Sequence, residues 1–216
     1  MAIVGATGAG KTTIINLLGR FYDIQKGSIK IDSTDIKKFT LTSLRSNIAI
    51  VLQDVFLFAD SIYNNITLWD PNITEEMVIE AAKKIGVHDF IMNLPDQYHY
   101  NVKERGAMLS GGQRQLIAFL RAYVSKPALL VLDEATSSVD TDAERLIQNA
   151  TEQVTKDKTA IVIAHRLVTV QRADKIIVLD KGNIVEMGTH KQLLRKKDGY
   201  YRNLYEVQFS KSKEVA

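Results

Sequence analysis

The chain has 216 residues, 45% of them hydrophobic and 25% charged, with a formal net charge of +3; that is enough for one globular domain with a proper core. So small a charge gives no argument for nucleic acid as a partner. With no cysteine, a disulfide framework, a thiolate metal site and a cysteine nucleophile are all excluded.

Residues 2–4 read as a strand that runs directly into Gly5-Ala6-Thr7-Gly8-Ala9-Gly10-Lys11-Thr12. A phosphate-binding loop follows a buried strand, and here that strand begins at the first residue, so a fragment lacking an N-terminal part is expected. Residues 11–19 form a helix with Ile14, Leu17 and Leu18 on its buried stripe. Residues 28–32 and 48–52 read as strands. From 54 to 125 the pattern is mainly helical. Thr74 caps a helix over Glu75–Ile85, Glu75 and Glu76 suit its first turn, and Gly86 ends it. A second helix spans 112–124. Leu129–Asp133, 159–164 and 175–180 are apolar strands expected to be covered on both faces. Lys181-Gly182-Asn183 makes a turn, and 184–187 returns as a hairpin. Residues 199–209 form a short amphipathic helix, and 210–216 fray. Short β-branched runs alternating with helical patterns predict an α/β fold: a parallel-sheet core with an inserted α-helical subdomain. No apolar run, 128–132 included, comes near the length of a membrane span. The N-terminus lacks the layout of a signal peptide.

Three clusters carry chemistry. In the phosphate loop, glycines at 5, 8 and 10 let backbone N–H groups turn inward, and the helix that follows adds a favourable dipole. Lys11 reaches the β and γ phosphates, and the Thr12 hydroxyl ligates Mg²⁺. The nucleotide-binding set is Gly5, Thr7, Gly8, Ala9, Gly10, Lys11, Thr12 and Thr13. In the second cluster an apolar strand ends in Asp133 and Glu134. Asp133 suits Mg²⁺ through water. Glu134 projects where α/β sheets place their ligands and is the candidate to polarise an attacking water. In the third, Ser110, Gly111, Gly112 and Gln113 open a helix and offer a second anion site.

Leu109-Ser110-Gly111-Gly112-Gln113 resembles the signature of ATP-binding cassette (ABC) proteins. With the phosphate loop and the later motifs in the expected order, the resemblance covers essentially the whole chain. It points to the nucleotide-binding domain of an ABC transporter, exporter type, similar to multidrug or lipid exporters. It implies a P-loop NTPase (RecA-like) core at 1–53 and 126–216, with a helical subdomain at 54–125 carrying the signature. It also implies roles for residues that spacing alone does not mark. Gln53 is similar to the Q-loop glutamine, which touches Mg²⁺ and the attacking water and connects to the transmembrane partner. His165 resembles the switch histidine that contacts the γ-phosphate, and Asp140 the D-loop aspartate that acts across a dimer. The signature of one chain would serve the γ-phosphate held by the other, so that ATP joins two domains and hydrolysis releases them.

Val102-Lys103-Glu104-Arg105-Gly106 looks like the X-loop of exporters, with Lys103 where a glycine is usual. Residues 53–58, 61–66 and 184–190 are also exporter-like. In such proteins a membrane domain precedes the ATPase on the same chain. Phe56-Leu57-Phe58 either receives that domain's cytoplasmic helices or is buried in this chain's own core. The implied function is Mg²⁺-dependent ATP hydrolysis powering transport, at the cytoplasmic face of the cell membrane. The implied partners are a second ABC ATPase domain, identical or paralogous, and a transmembrane domain, with no nucleic acid. Family members stack adenine on an upstream aromatic, for which Phe21 and Tyr22 are poor substitutes by position. Four other readings compete. DNA-repair and chromosome ATPases insert long coiled coils before the signature, and no sustained heptads lie between Gln53 and Ser110. Translation cassettes carry two cassettes per chain. Non-hydrolysing modules lose the glutamate or the histidine, and Glu134 and His165 are both present. The last is an inert truncation product.

Overall fold

A computed structural model describes residues 1–134, 141–164 and 167–209, and of 141–143, 167, 208 and 209 the backbone alone. In chain order the elements begin β1 (Ala2–Gly5), α1 (Lys11–Leu18), β2 (Lys30–Ile31), β3 (Thr34–Asp35), α2 (Leu41–Ser46), β4 (Ile48–Val51) and α3 (Ile62–Thr67). There follow α4 (Glu75–Ile85), α5 (His88–Met92), α6 (Gly111–Val124), β5 (Leu129–Asp133), α7 (Thr141–Thr155) and β6 (Thr159–Ile163). The chain closes with α8 (Leu167–Arg172), β7 (Ile176–Asp180), β8 (Asn183–Gly188), α9 (His190–Leu194) and α10 (Tyr200–Phe209). They form two compact units: residues 1–45, 131–134 and 160–209, and residues 46–130 and 141–159.

The first unit is built on strands in the order β5-β6-β1-β7-β8. β1 is buried along its whole length and pairs parallel with β6 on one side and β7 on the other. Its sequence Ala-Ile-Val-Gly has no polar side chain to expose, as a strand covered on both faces requires. β8 returns antiparallel to β7. Asp180 pairs with Asn183, so the turn is the two residues Lys181 and Gly182, not three. Both have positive φ, 46° and 81°, the twist a tight hairpin needs. The same chemistry corrects the expected single strand at 28–32. Asp32 and Ser33, at φ 46° and 68°, fold it into the short hairpin β2–β3.

Helix α1 also differs from expectation. Ile15 is fully buried, while Ile14, Leu17 and Leu18 are only half-buried. The buried line is Lys11, Ile15 and Gly19, four residues apart on one face. Lys11 turns inward, and the helix rotates with it.

The second unit is mainly helical, with β4 against the start of β5: the Asn47 carbonyl accepts from Ala128 N and Leu129 N, both at 3.0 Å. α6 is its spine, burying Leu116, Ile117, Phe119 and Leu120 against α3, α4 and α7. α4 ends as expected, Thr74 accepting from Met77 N and Gly86 closing it at φ 78°. Asn65, fully buried on α3, makes three bonds that hold the preceding loop. Its carbonyl oxygen accepts from Phe58 N at 2.8 Å, and its amide donates to Phe58 O and Ser61 O, each at 3.0 Å. Arg121 of α6 donates in turn to the Asn65 backbone carbonyl at 2.7 Å.

Lys103 sits at φ 60°, ψ −177°, a region that side chains with a Cβ enter only under strain. This is the position at which the X-loop resemblance asks for glycine. Lys103→Gly should relieve about 1–3 kcal/mol of strain against roughly 0.5–1 kcal/mol of added backbone entropy. The expected net gain is on the order of 1 kcal/mol, or about 2–4 °C in melting temperature. Calorimetry checks it, and an unchanged or lower melting temperature would count against strain at this turn.

Candidate functional site

In the first unit the phosphate loop leaves β1 at Gly5, which pairs with Leu179 of β7. A Cβ at Gly5 would lie 2.4 Å from the Leu179 carbonyl oxygen, so only glycine allows this close approach. The loop closes at Gly10, the N-cap of α1, at φ 103° and ψ 9°. No side chain caps this helix start, so its first N–H groups retain the partial positive charge that favours an anion. Lys11 Nζ donates to Gly5 O at 2.8 Å and to Ala6 O at 3.0 Å. Burial pulls the Lys11 pKa below its usual value, and the Asp133 carboxylate pushes it back up. Thr7, Gly8, Thr12 and Thr13 are exposed, and Ala9 is buried.

Asp133 and Glu134 stand at the end of β5, 9% and 6% exposed. The Glu134 backbone N–H donates to Ile163 O at 3.1 Å, tying it to the end of β6. Its side chain accepts from the Thr169 hydroxyl of α8 at 2.5 Å. The unit thus brings together the phosphate loop, Lys11 and the carboxylate pair. Among the described residues no group of three or more His, Asp or Glu side chains could hold a metal. An ion here would have to complete its shell with phosphate and water oxygens, as Mg²⁺ does. The exposed Thr12 hydroxyl and the Asp133 carboxylate fit that requirement.

In the second unit Ser110 caps α6 through a reciprocal box. Its hydroxyl oxygen accepts from Gln113 N at 3.2 Å, and the Gln113 side chain accepts from Ser110 N at 2.9 Å. Arg114 fastens the loop by donating to Leu109 O at 2.7 Å. Gly111 is exposed and Gly112 buried. Because the serine oxygen accepts from the helix, its O–H can still donate outward. Gln53 is exposed just beyond β4. Asp140 and His165 lie outside the described residues. The Phe56-Leu57-Phe58 stretch divides: Leu57 is fully buried, while Phe56 and Phe58 are 54% and 41% exposed. Phe56, Phe58 and Trp69 form an edge-to-face row, with ring centroids 5.2 and 5.1 Å apart.

Three contributors escape the sequence. Gly182 N donates to Ala9 O at 3.0 Å, so the β7–β8 turn braces the phosphate loop; only the β1–β7 pairing reveals that neighbourhood. Thr169 carries no motif signal by itself. Asn65 is one polar residue in a mixed run, and nothing local marks it as buried.

The ABC transporter family model matches residues 1–137. The chain belongs to the ABC transporter family. It is 49% identical over 208 residues to the "Putative multidrug export ATP-binding/permease protein" of Staphylococcus aureus strain NCTC 8325 / PS 47, and equally to that of strain COL. Each match covers 96% of this chain and 36% of the relative. The solved structure of a bacterial Atm1-family ABC exporter with ATP bound superposes with a TM-score of 0.86 at 44% identity, over 100% of this chain and 36% of that one. The ABC chain described here thus spans about a third of the length of the relatives it matches.

The brace on Ala9 yields a test. A side chain at Gly182 meets nothing within 4 Å, but φ is +81°. Gly182→Val should therefore open the turn for backbone reasons alone, whereas Gly182→Asn, which tolerates this region, should keep it. Losing the bond should weaken ATP binding about five- to tenfold in the valine variant. Equal affinity of wild type and Gly182→Val by calorimetric titration would mean that the turn does not support the loop.

Proposed function

We propose that this chain is the ATP-binding and ATP-hydrolysing domain of an ABC exporter, pairing with a second such domain around two ATP molecules to power transport across a membrane. The observation that carries the reading is the first unit's grouping: a buried lysine ammonium and an uncapped helix start beside two buried carboxylates. Lys11 and the loop amides of Gly5, Thr7, Gly8, Ala9, Gly10 and Thr13 hold the phosphates. Thr12 and Gln53 would hold Mg²⁺, with Asp133 through water, and a bound ion would supply positive charge against that developing on the phosphates. Glu134 polarises the water whose oxygen attacks the γ-phosphorus in line, with ADP leaving. His165 steadies the γ-phosphate. Positioning and charge neutralisation supply most of the acceleration. Residues 1–53 and 126–216 act as the nucleotide-binding core, and 54–125 as the helical subdomain that presents Ser110, Gly111, Gly112 and Gln113 to the partner's nucleotide. Asp140 acts across the same dimer.

The relatives' printed name joins ATP-binding and permease parts in one protein, which supports a transmembrane domain fused upstream. Among the described residues no helix is long and apolar enough to cross a membrane. In the proposed arrangement the domain works at the cytoplasmic face, attached through its partner. The aromatic row at Phe56, Phe58 and Trp69, in which Asn65 holds the backbone of Phe58, offers the partner's helices an apolar seat.

Two substitutions test this. Glu134→Gln keeps the shape and removes the carboxylate. It should bind ATP within about twofold of wild type while turnover falls about a hundredfold or more, as for loss of a general base. With ATP and Mg²⁺ it should accumulate as a dimer in gel filtration. Wild-type turnover in this variant would exclude Glu134 from the reaction.

Ser110 separates capping from phosphate recognition. Aspartate caps a helix as well as serine, whereas alanine costs about 1 kcal/mol. Ser110→Asp should therefore melt like wild type yet fail to dimerise with ATP, because its charge repels the partner's γ-phosphate. Ser110→Ala should lower the melting temperature. Nucleotide-dependent dimers of Ser110→Asp, seen by light scattering, would show that the signature does not meet phosphate.

A further inference from the structure

Glu134 is held twice by one stretch of chain. Its backbone N–H donates to Ile163, the last residue of β6. Its side chain accepts from Thr169, on the helix α8 that follows β6. The rotation of α8 is set by Val170, which is fully buried, with Val168 turned outward at 42% exposure. A threonine has few χ1 choices, so this register directs its hydroxyl. A helical threonine hydroxyl commonly donates to the carbonyl one turn earlier; here its one proton goes to the Glu134 carboxylate. A glutamate side chain has several rotamers, and a base misplaced by an ångström loses much of its effect.

We propose that Thr169 is a positioning residue: its hydroxyl fixes the rotamer and plane of the carboxylate from which Glu134 polarises the attacking water. The inference rests on the reading of Glu134 given above. Thr169 does not touch substrate; it acts through Glu134.

Thr169→Val removes the hydroxyl and keeps the shape, and Thr169→Ser keeps the hydroxyl. In steady-state ATP hydrolysis by the 216-residue chain with Mg²⁺, Thr169→Val should lower kcat about tenfold or more while KM for ATP stays within about twofold. Thr169→Ser should recover most of the loss. Combined with Glu134→Gln, Thr169→Val should add nothing. A kcat within about twofold of wild type in the valine variant overturns the proposal, as does a serine variant as impaired as the valine one, or a rise in KM alone. Loss of turnover in Glu134→Gln with none in Thr169→Val leaves the base in place and removes Thr169; no loss in Glu134→Gln removes the base itself. A readout independent of turnover is the ¹³C resonance of the Glu134 side-chain carboxylate, identified by its absence in Glu134→Gln. It should move in folded Thr169→Val and not in Thr169→Ser, and an unmoved resonance in Thr169→Val overturns the contact. Should the valine variant fail to fold, Thr169→Ala takes its place in both measurements.

Discussion

Burying the Lys11 ammonium is unfavourable in itself, and much of the first unit is arranged around that cost. A cation taken out of water needs oxygen partners. Two come from the Gly5 and Ala6 carbonyls, at 2.8 and 3.0 Å. Offering them bends the chain back on itself just after β1, which defines the loop. Turning Lys11 inward also sets the rotation of α1, so that Ile15 becomes its core residue. The Asp133 charge opposes the desolvation that lowers the lysine pKa. Its partners here are neutral carbonyls and one nearby carboxylate. A triphosphate would supply a much larger opposing charge to the same ammonium.

The loop is supported from outside itself. β1 lies between β6 and β7, and Gly5 approaches the Leu179 carbonyl more closely than any Cβ permits. The parallel register of β1 and β7 brings the C-terminal end of β7 beside the phosphate loop, and so its turn reaches Ala9. With Ala9 O taken up by Gly182 N, that carbonyl is directed at protein. Carbonyls facing a phosphate would repel it, so satisfying them elsewhere leaves N–H groups for the anion.

Much of this was legible in the sequence, and for identifiable reasons. The apolar runs of β5, β6 and β7 announce strands, and residues 130–132, 161–163 and 178–179 within them are buried, although β6 begins exposed at Thr159. The Thr74 and Gly86 punctuation of α4 is local chemistry, readable without a fold. The hairpin at Asp32–Ser33 is not legible, because only the positive φ of both residues distinguishes a turn from a continued strand there. Hydrophobicity alone puts Ile14, Leu17 and Leu18 on the buried stripe of α1, because it cannot foresee a buried lysine. The aromatic stretch left two outcomes open, and the structure divides them: Leu57 goes to the core, Phe56 and Phe58 to the surface. Contacts such as Thr169–Glu134 and Gly182–Ala9 join residues far apart in the chain, so no local pattern could show them. Asp140 and His165 lie outside the described residues.

The second unit displays its exposed groups by the same logic of internal satisfaction. Asn65 occupies both backbone groups of Phe58 and the Ser61 carbonyl. A loop whose polar atoms are bonded inward can turn its side chains outward without leaving orphan donors in the interior. Phe56 and Phe58 are held in that way, with Arg121 tying α3 to α6 beneath them. Ser110 follows the same rule at the other end of α6: its oxygen is engaged by its own helix, which leaves the hydroxyl proton as the outward-facing group. In both places an internal bond fixes the position and leaves an outward-facing group.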